Sequence, residues 1–267
     1  MKKLIIIVIQ ILLISMLIGC SKKNNYSDVV QKLEARYYKA KGFSYSLPYR
    51  LYIPAKYNKS RKYPLVVILH GGGERGNDNI SQVGLGVKIF TSKIVQDISK
   101  CFVIAPQCPR NSQWVNTKFI TTPFDNYKQA EIPESEAMKM VIAVIHSLVQ
   151  EFSIDEKRLY VLGSSMGASG TWDVISRYPD LFAAAVTMSG VSDPSTAARI
   201  AHMPIWAFHG RKDQVSPVYV TQNMIEALRK YKSKCKFTIY NDRGHNIDDL
   251  AFNNKQMLEW LFKQRKK

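Results

Sequence analysis

One short stretch constrains this chain more than any other. Leu159-Tyr160-Val161-Leu162 runs directly into Gly163-Ser164-Ser165-Met166-Gly167, and a helical pattern begins at once. An apolar, strand-forming run bounded by glycine reads as a buried strand. A serine placed between that strand and a helix must occupy a tight, strained turn. The positions two before and two after it then have almost no room for a side chain. Such a turn exposes the serine hydroxyl at a helix N-terminus, where the helix dipole favours developing negative charge. Gly-x-Ser-x-Gly alone is a weak signal; the strand before it and the helix after it make it a strong one.

The rest of the chain supplies the same alternation. Phe43 to Ile53 alternates and contains Pro48, which predicts edge strands or a hairpin. Leu65 to Leu69 is a continuous β-branched and aliphatic run, as a strand buried on both faces requires. Further runs lie at Phe102–Ala105, Ala184–Thr187, Ile205–Phe208 and Phe237–Tyr240. Between them, helical patterns span Pro133 to Phe152, Ala168 to Tyr178 (stopped by Pro179), Pro217 to Tyr231 and Asp249 to Phe262. Strands and helices in this order predict an α/β fold with a mostly parallel central sheet. Its functional loops then lie at the carboxyl ends of the strands. The long irregular segment from Pro106 to Pro133 reads as a functional loop or lid.

A serine hydroxyl is a poor nucleophile until a base takes its proton, and that base needs a third group to orient it. Of five histidines, His70 and His209 lie at strand ends, His146 in a helix and His202 in a loop. His245, in Asp242-Arg243-Gly244-His245-Asn246, follows the last strand and precedes the last helix, where its ring can swing over Ser165. Asp213, just after the penultimate strand, is the candidate acid, with Asp193 in reserve. His70-Gly71-Gly72-Gly73 follows the first buried strand, and the N–H groups of Gly72 and Met166 are the candidate oxyanion hole. His70 itself reads as a structural residue pinning that turn.

With those residues placed, the chain resembles the α/β-hydrolase superfamily, whose members carry Ser, Asp and His in this chain order. The resemblance implies an α/β-hydrolase fold with helices on both faces of the sheet and no cofactor; the small size, with no propeller or large cap domain expected, departs from the oligopeptidases of the superfamily. More narrowly, His70 to Asn79 and Ala105-Pro106-Gln107-Cys108-Pro109 look like a bacterial esterase branch related to carbohydrate esterase family one. That branch is often labelled "predicted peptidase" for its likeness to prolyl oligopeptidase catalytic domains. It implies a serine esterase releasing acetyl or feruloyl groups from polysaccharide, with a serine peptidase as the alternative. In such enzymes Trp114 would sit near the mouth, stacking on a sugar or aryl group or else anchoring its loop to the core. Glu74 and Arg75 would form a supporting ion pair or bind substrate polar groups.

The N-terminus reads as an address. Met1-Lys2-Lys3 precedes Leu4 to Ile18, which is apolar but for Gln10 and Ser15. That run is short of the ~20 residues a spanning helix needs and fits an export signal. Leu17-Ile18-Gly19-Cys20 resembles a bacterial lipobox, which implies acylation of Cys20. The division that follows is a lipoprotein signal peptide over 1–19, a lipidated tether over 20–41 and a catalytic domain over 42–267. The expected location is the bacterial envelope, on its periplasmic or cell-surface side, as a lipid-anchored monomer. Losing Lys2 and Lys3 with the signal lowers the formal charge from +17 to +15. The basic residues are dispersed rather than clustered, so a nucleic-acid partner is not expected; an anionic envelope or polysaccharide is. Cys101, Cys108 and Cys235 are an odd number and lack Cys-x-x-Cys spacing, so a free thiol and no metal site are expected.

Overall fold

The computed structural model describes residues 26–117 and 128–267. Eight strands form one sheet: β1 Glu34–Tyr38, β2 Leu47–Tyr52, β3 Tyr63–Leu69, β4 Phe102–Pro106, β5 Ile154–Ser164, β6 Ala184–Met188, β7 Ile205–Gly210 and β8 Lys236–Tyr240. Their spatial order is β1-β2-β4-β3-β5-β6-β7-β8. The β1–β2 and β2–β4 pairings are antiparallel, and every other pairing is parallel.

The apolar runs do what doubly buried strands must. In β3, Leu65, Val67 and Leu69 face one core, while Val66 and Ile68 face the other. On the first face lie α4 Glu136–Glu151, α5 Met166–Arg177, α6 Ala197–Ile200 and α7 Tyr219–Lys230. On the second lie α1 Ser27–Val30, α2 Leu85–Phe90, α3 Lys93–Ile98, α8 Asp248–Phe252 and α9 Lys255–Lys263. This is the α/β-hydrolase architecture, with no separate cap domain among the described residues.

Three differences from the sequence reading have local causes. The segment read as a tether folds into the sheet: β1 pairs along β2, Val29 and Leu33 are buried, and Arg36 bridges Glu151 at 2.7 Å. The folded unit therefore begins before residue 42. An edge strand that is mostly exposed carries no apolar run, so nothing in the pattern marked it. The long helix expected from Pro133 starts instead at Glu136, because the Ser135 hydroxyl caps it by accepting the Met138 N–H. The expected last helix is broken in two, since the Asn254 side chain starts a fresh helix by accepting the Met257 N–H. Residues 1–25, with the signal and Cys20, lie outside the described residues, as do 118–127 within the expected lid. All three described cysteines are free, and burial pushes the Cys101 and Cys108 thiols up to about 12.

Candidate active site

Everything in the site hangs on the ends of β3, β5, β6, β7 and β8. Ser165 follows β5 and caps α5 with φ 54° and ψ −118°, a left-handed conformation rare for a side-chain-bearing residue. The flanking glycines are obligatory for steric reasons. A Cβ on Gly163 would lie 2.1 Å from the Gly167 carbonyl oxygen, and one on Gly167 would lie 2.0 Å from the Leu69 carbonyl oxygen. Helix α5 thus packs against the ends of β3 and β5 with its first turn at the reacting hydroxyl.

The three expected side chains meet. The Ser165 hydroxyl and His245 Nε2 are 2.8 Å apart, and His245 Nδ1 is 2.8 Å from Asp213 Oδ2. Because Nδ1 faces a carboxylate it carries the proton, which leaves Nε2 as acceptor for the serine O–H. Asp213 Oδ1 accepts the N–H groups of Val215 and Ser216 at 2.8 and 2.9 Å. Burial opposes ionisation of this carboxyl, but hydrogen bonds from His209, His245 and the Ser216 N–H outweigh it. Asp213 is held well below the usual carboxylate range. Asp193, the reserve acid, is used elsewhere: it accepts the N–H groups of Ser195 and Gln129 and starts a single helical turn.

Gly72 and Met166 are each the first residue of a helical turn, where N–H groups have no partner within the helix. Both line the same cavity as Ser165 and His245. His70 pins the turn as expected. Its Nε2 accepts the Cys108 N–H at 2.9 Å and its Nδ1–H donates to the Gly71 carbonyl. Burial lowers its pKa to about 4, so the ring is neutral.

The expected substrate contacts fare differently. Trp114 is wholly buried. Its indole N–H donates to the His70 carbonyl at 3.0 Å, its ring lies edge-on to His70, and it packs against Gly170. Of the two roles open to it, it anchors the loop and offers no surface for stacking. Glu74 is turned under the glycine turn towards Gly71 and Asp248, and burial raises its pKa. Arg75 does line the cavity, while bracing the turn by donating to the Gly72 and Ser112 carbonyls at 2.9 and 3.4 Å.

Sequence reasoning missed three parts. His209 donates from Nε2 to both Asp213 Oδ2 and the Ser216 carbonyl. Asp248 accepts the Ser164 hydroxyl at 2.6 Å, tying the histidine loop to the nucleophile turn. The third is a cavity of about 220 Å³ walled by Val115, Val191 and Val215 with Ser169, Ser189 and Ser216. The strand-end placement of His209 was its one visible signal; the cavity wall is assembled by loops far apart in sequence.

The profile of the Phospholipase/Carboxylesterase family matches residues 55–258. The chain belongs to this family. Among solved structures, a thermostable esterase superimposes on this carboxylesterase-family chain with a TM-score of 0.78 at 36% identity, covering 89% of it. The chain spans 64% of that esterase's length. Two more distant structures share the fold: a ferulic acid esterase (TM-score 0.65, 16% identity, 86% of this chain and 97% of that one) and the Pyrococcus horikoshii acylaminoacyl peptidase (0.64, 15%, 88% and 42%). A search of curated proteins found no match.

Proposed function

We propose that this member of the family is a carboxylic ester hydrolase that works through an acyl-enzyme on Ser165. One observation carries the reading: two successive 2.8 Å hydrogen bonds link Asp213, His245 and Ser165, and the last of these opens on a cavity. His245 takes the serine proton as the hydroxyl attacks the ester carbonyl, and then gives it to the departing alcohol. Asp213 fixes the ring and stabilises it while it is charged. The Gly72 and Met166 N–H groups hold the oxyanion, each worth ~3 kcal/mol in the transition state. Water activated by the same His245 releases the acid. A fluorophosphonate probe is expected to label the wild-type protein and not its Ser165→Ala form; equal labelling of both removes Ser165 from the reaction.

The substrate class in this proposal is an acetyl or feruloyl ester of a polysaccharide or oligosaccharide. It is supported by the resemblance of His70 to Asn79 and Ala105 to Pro109 to the carbohydrate esterase branch. The buried Trp114 adds nothing to it. Acetylated xylan and feruloyl esters are expected to be turned over faster than long-chain acyl esters, and the reverse order overturns the substrate class. Faster turnover of short peptides than of any ester would favour the peptidase alternative. The proposal places the enzyme on the bacterial envelope through acylated Cys20; loss of detergent-phase partitioning in Cys20→Ser checks that placement.

A further inference from the structure

Beside the nucleophile lies a second serine with the same positive φ. Ser164 is registered with Met188 across β5 and β6, and the Ser165 N–H donates to the Met188 carbonyl at 2.8 Å. Ser189 therefore stands next to Ser165, each just past the end of its strand. Their φ angles are 55° and 54°, in the left-handed region that favours glycine. The backbone of Ser189 is held on both sides: its N–H donates to the Phe208 carbonyl at 3.0 Å, and its carbonyl accepts the Ser216 hydroxyl at 2.8 Å.

Its side chain is the exception. Ser189 is 1% exposed and lines the cavity, yet its hydroxyl has no hydrogen-bond partner among the described residues. The other two serines of the wall are fully engaged. Ser169 accepts the Val191 N–H and donates to the Ser165 carbonyl, and Ser216 donates to the Ser189 carbonyl. A buried hydroxyl without a partner is costly, and a serine at this φ is strained where glycine would not be. Neither cost brings a contact within the protein.

We propose that the Ser189 hydroxyl is a specificity determinant that hydrogen-bonds an oxygen carried on the acyl chain close to the ester carbonyl. Between acyl chains of equal length, the one with a hydroxyl near the carbonyl is then turned over faster than its unsubstituted counterpart. The assignment rests on the ester-hydrolase reading above. In this assignment the alcohol leaves past His245, and the half of the ester that stays on Ser165 lies against Ser189 in the same cavity. The valine wall packs the carbon chain, and Ser189 supplies a polar atom beside the reacting carbonyl.

Ethyl butyrate, ethyl 2-hydroxybutyrate and ethyl 3-hydroxybutyrate, followed by pH-stat titration, test this. The wild-type enzyme is expected to favour at least one hydroxy ester over butyrate in kcat/KM. Ser189→Gly, which suits the left-handed backbone, and Ser189→Ala are each expected to shrink that preference about fivefold to tenfold, the scale of one neutral hydrogen bond. Ser189→Gly is also expected to melt no lower than the wild type, because it removes strain along with the hydroxyl. An unchanged preference ratio in both variants, or no wild-type preference, overturns the role of Ser189 alone. Failure of the wild-type enzyme to hydrolyse any of the three esters overturns this assignment; if the fluorophosphonate probe also fails to label Ser165, the hydrolase reading falls with it.

Discussion

His209 and His245 reach the same carboxylate oxygen, Asp213 Oδ2, from different parts of the fold. His209 lies within β7 and is wholly buried. Its Nε2–H is shared between Asp213 and the Ser216 carbonyl, and its Nδ1 accepts the Thr221 hydroxyl. His245 lies in the loop after β8, its side chain is 20% exposed, and its second nitrogen faces Ser165. A strand position gives a ring with every valence used. A loop position leaves one face open and one nitrogen for chemistry. His70, at the end of β3, sides with His209: it is buried, neutral and satisfied at both nitrogens by backbone groups. What separates a catalytic from a structural histidine here is the group on its far nitrogen, not the carboxylate beside it.

The sharpest way to break the comparison is to remove the open ring. His245→Ala is expected to lower kcat/KM on an aryl ester by about 10⁵-fold or more. Its unfolding free energy from denaturant titration should stay within about 0.5 kcal/mol of wild type, since the residue is partly exposed and anchors no core. A loss below about a hundredfold would deny His245 the role of base. Asp213→Asn comes next, with an expected loss near 10⁴-fold in kcat, because the amide favours the wrong imidazole tautomer. Unlike His245→Ala it should also cost stability, since the amide NH2 that replaces Oδ2 faces the buried His209 Nε2–H, donor against donor. A urea titration beside the kinetics separates the two effects.

These outcomes bear on how much the sequence could disclose. Ser165, Asp213 and His245 were legible because each stands just past a strand, and the order of strands fixes which ends converge. The parallel strands were legible because burial on both faces forces unbroken apolar runs. What escaped notice has less signature. β1 is an exposed edge whose pairing is made by backbone groups. Helices α2 and α3 have six residues each, too few turns to display a period. Trp114 was open to two readings because an aromatic in a loop looks the same whether it faces solvent or a groove. The groove that takes it exists only because Gly170 lacks a side chain: a Cβ there would lie 2.5 Å from that of Trp114. Ser189 gave no sign, since strain and an unpartnered hydroxyl are properties of the folded chain.

The buried histidines sharpen the comparison through stability instead of rate. His70 titrates near 4 when folded and near the ordinary histidine value of 6.5 when unfolded. Between those pH values the unfolded chain binds the extra proton, so stability rises with pH there and is lost as pH falls from about 6.5 to about 4. The loss attributable to His70 is at most about 3 kcal/mol. In His70→Gln the difference in unfolding free energy between pH 6.5 and 4 should shrink by that order. An identical pH slope in both proteins would mean His70 binds its proton equally well folded and unfolded, against its setting between one donor, the Cys108 N–H, and one acceptor, the Gly71 carbonyl.

The smallest expected effect is the most informative about Asp213. His209→Gln keeps a hydrogen-bond donor near Oδ2 and removes the ring, so the fold should survive with a loss of about 1–2 kcal/mol. Burial pushes the Asp213 carboxyl up, and the hydrogen bond from His209 is the largest of the interactions holding it down. With that bond weakened, the carboxyl should titrate higher and hold the charged His245 less firmly in the transition state. The expectation is a drop of roughly tenfold in kcat with KM little changed. A fall in stability with kcat intact would make His209 a packing residue only. A fall in kcat with KM unchanged would show that Asp213 needs two histidines: one to stay charged, and one to use the charge.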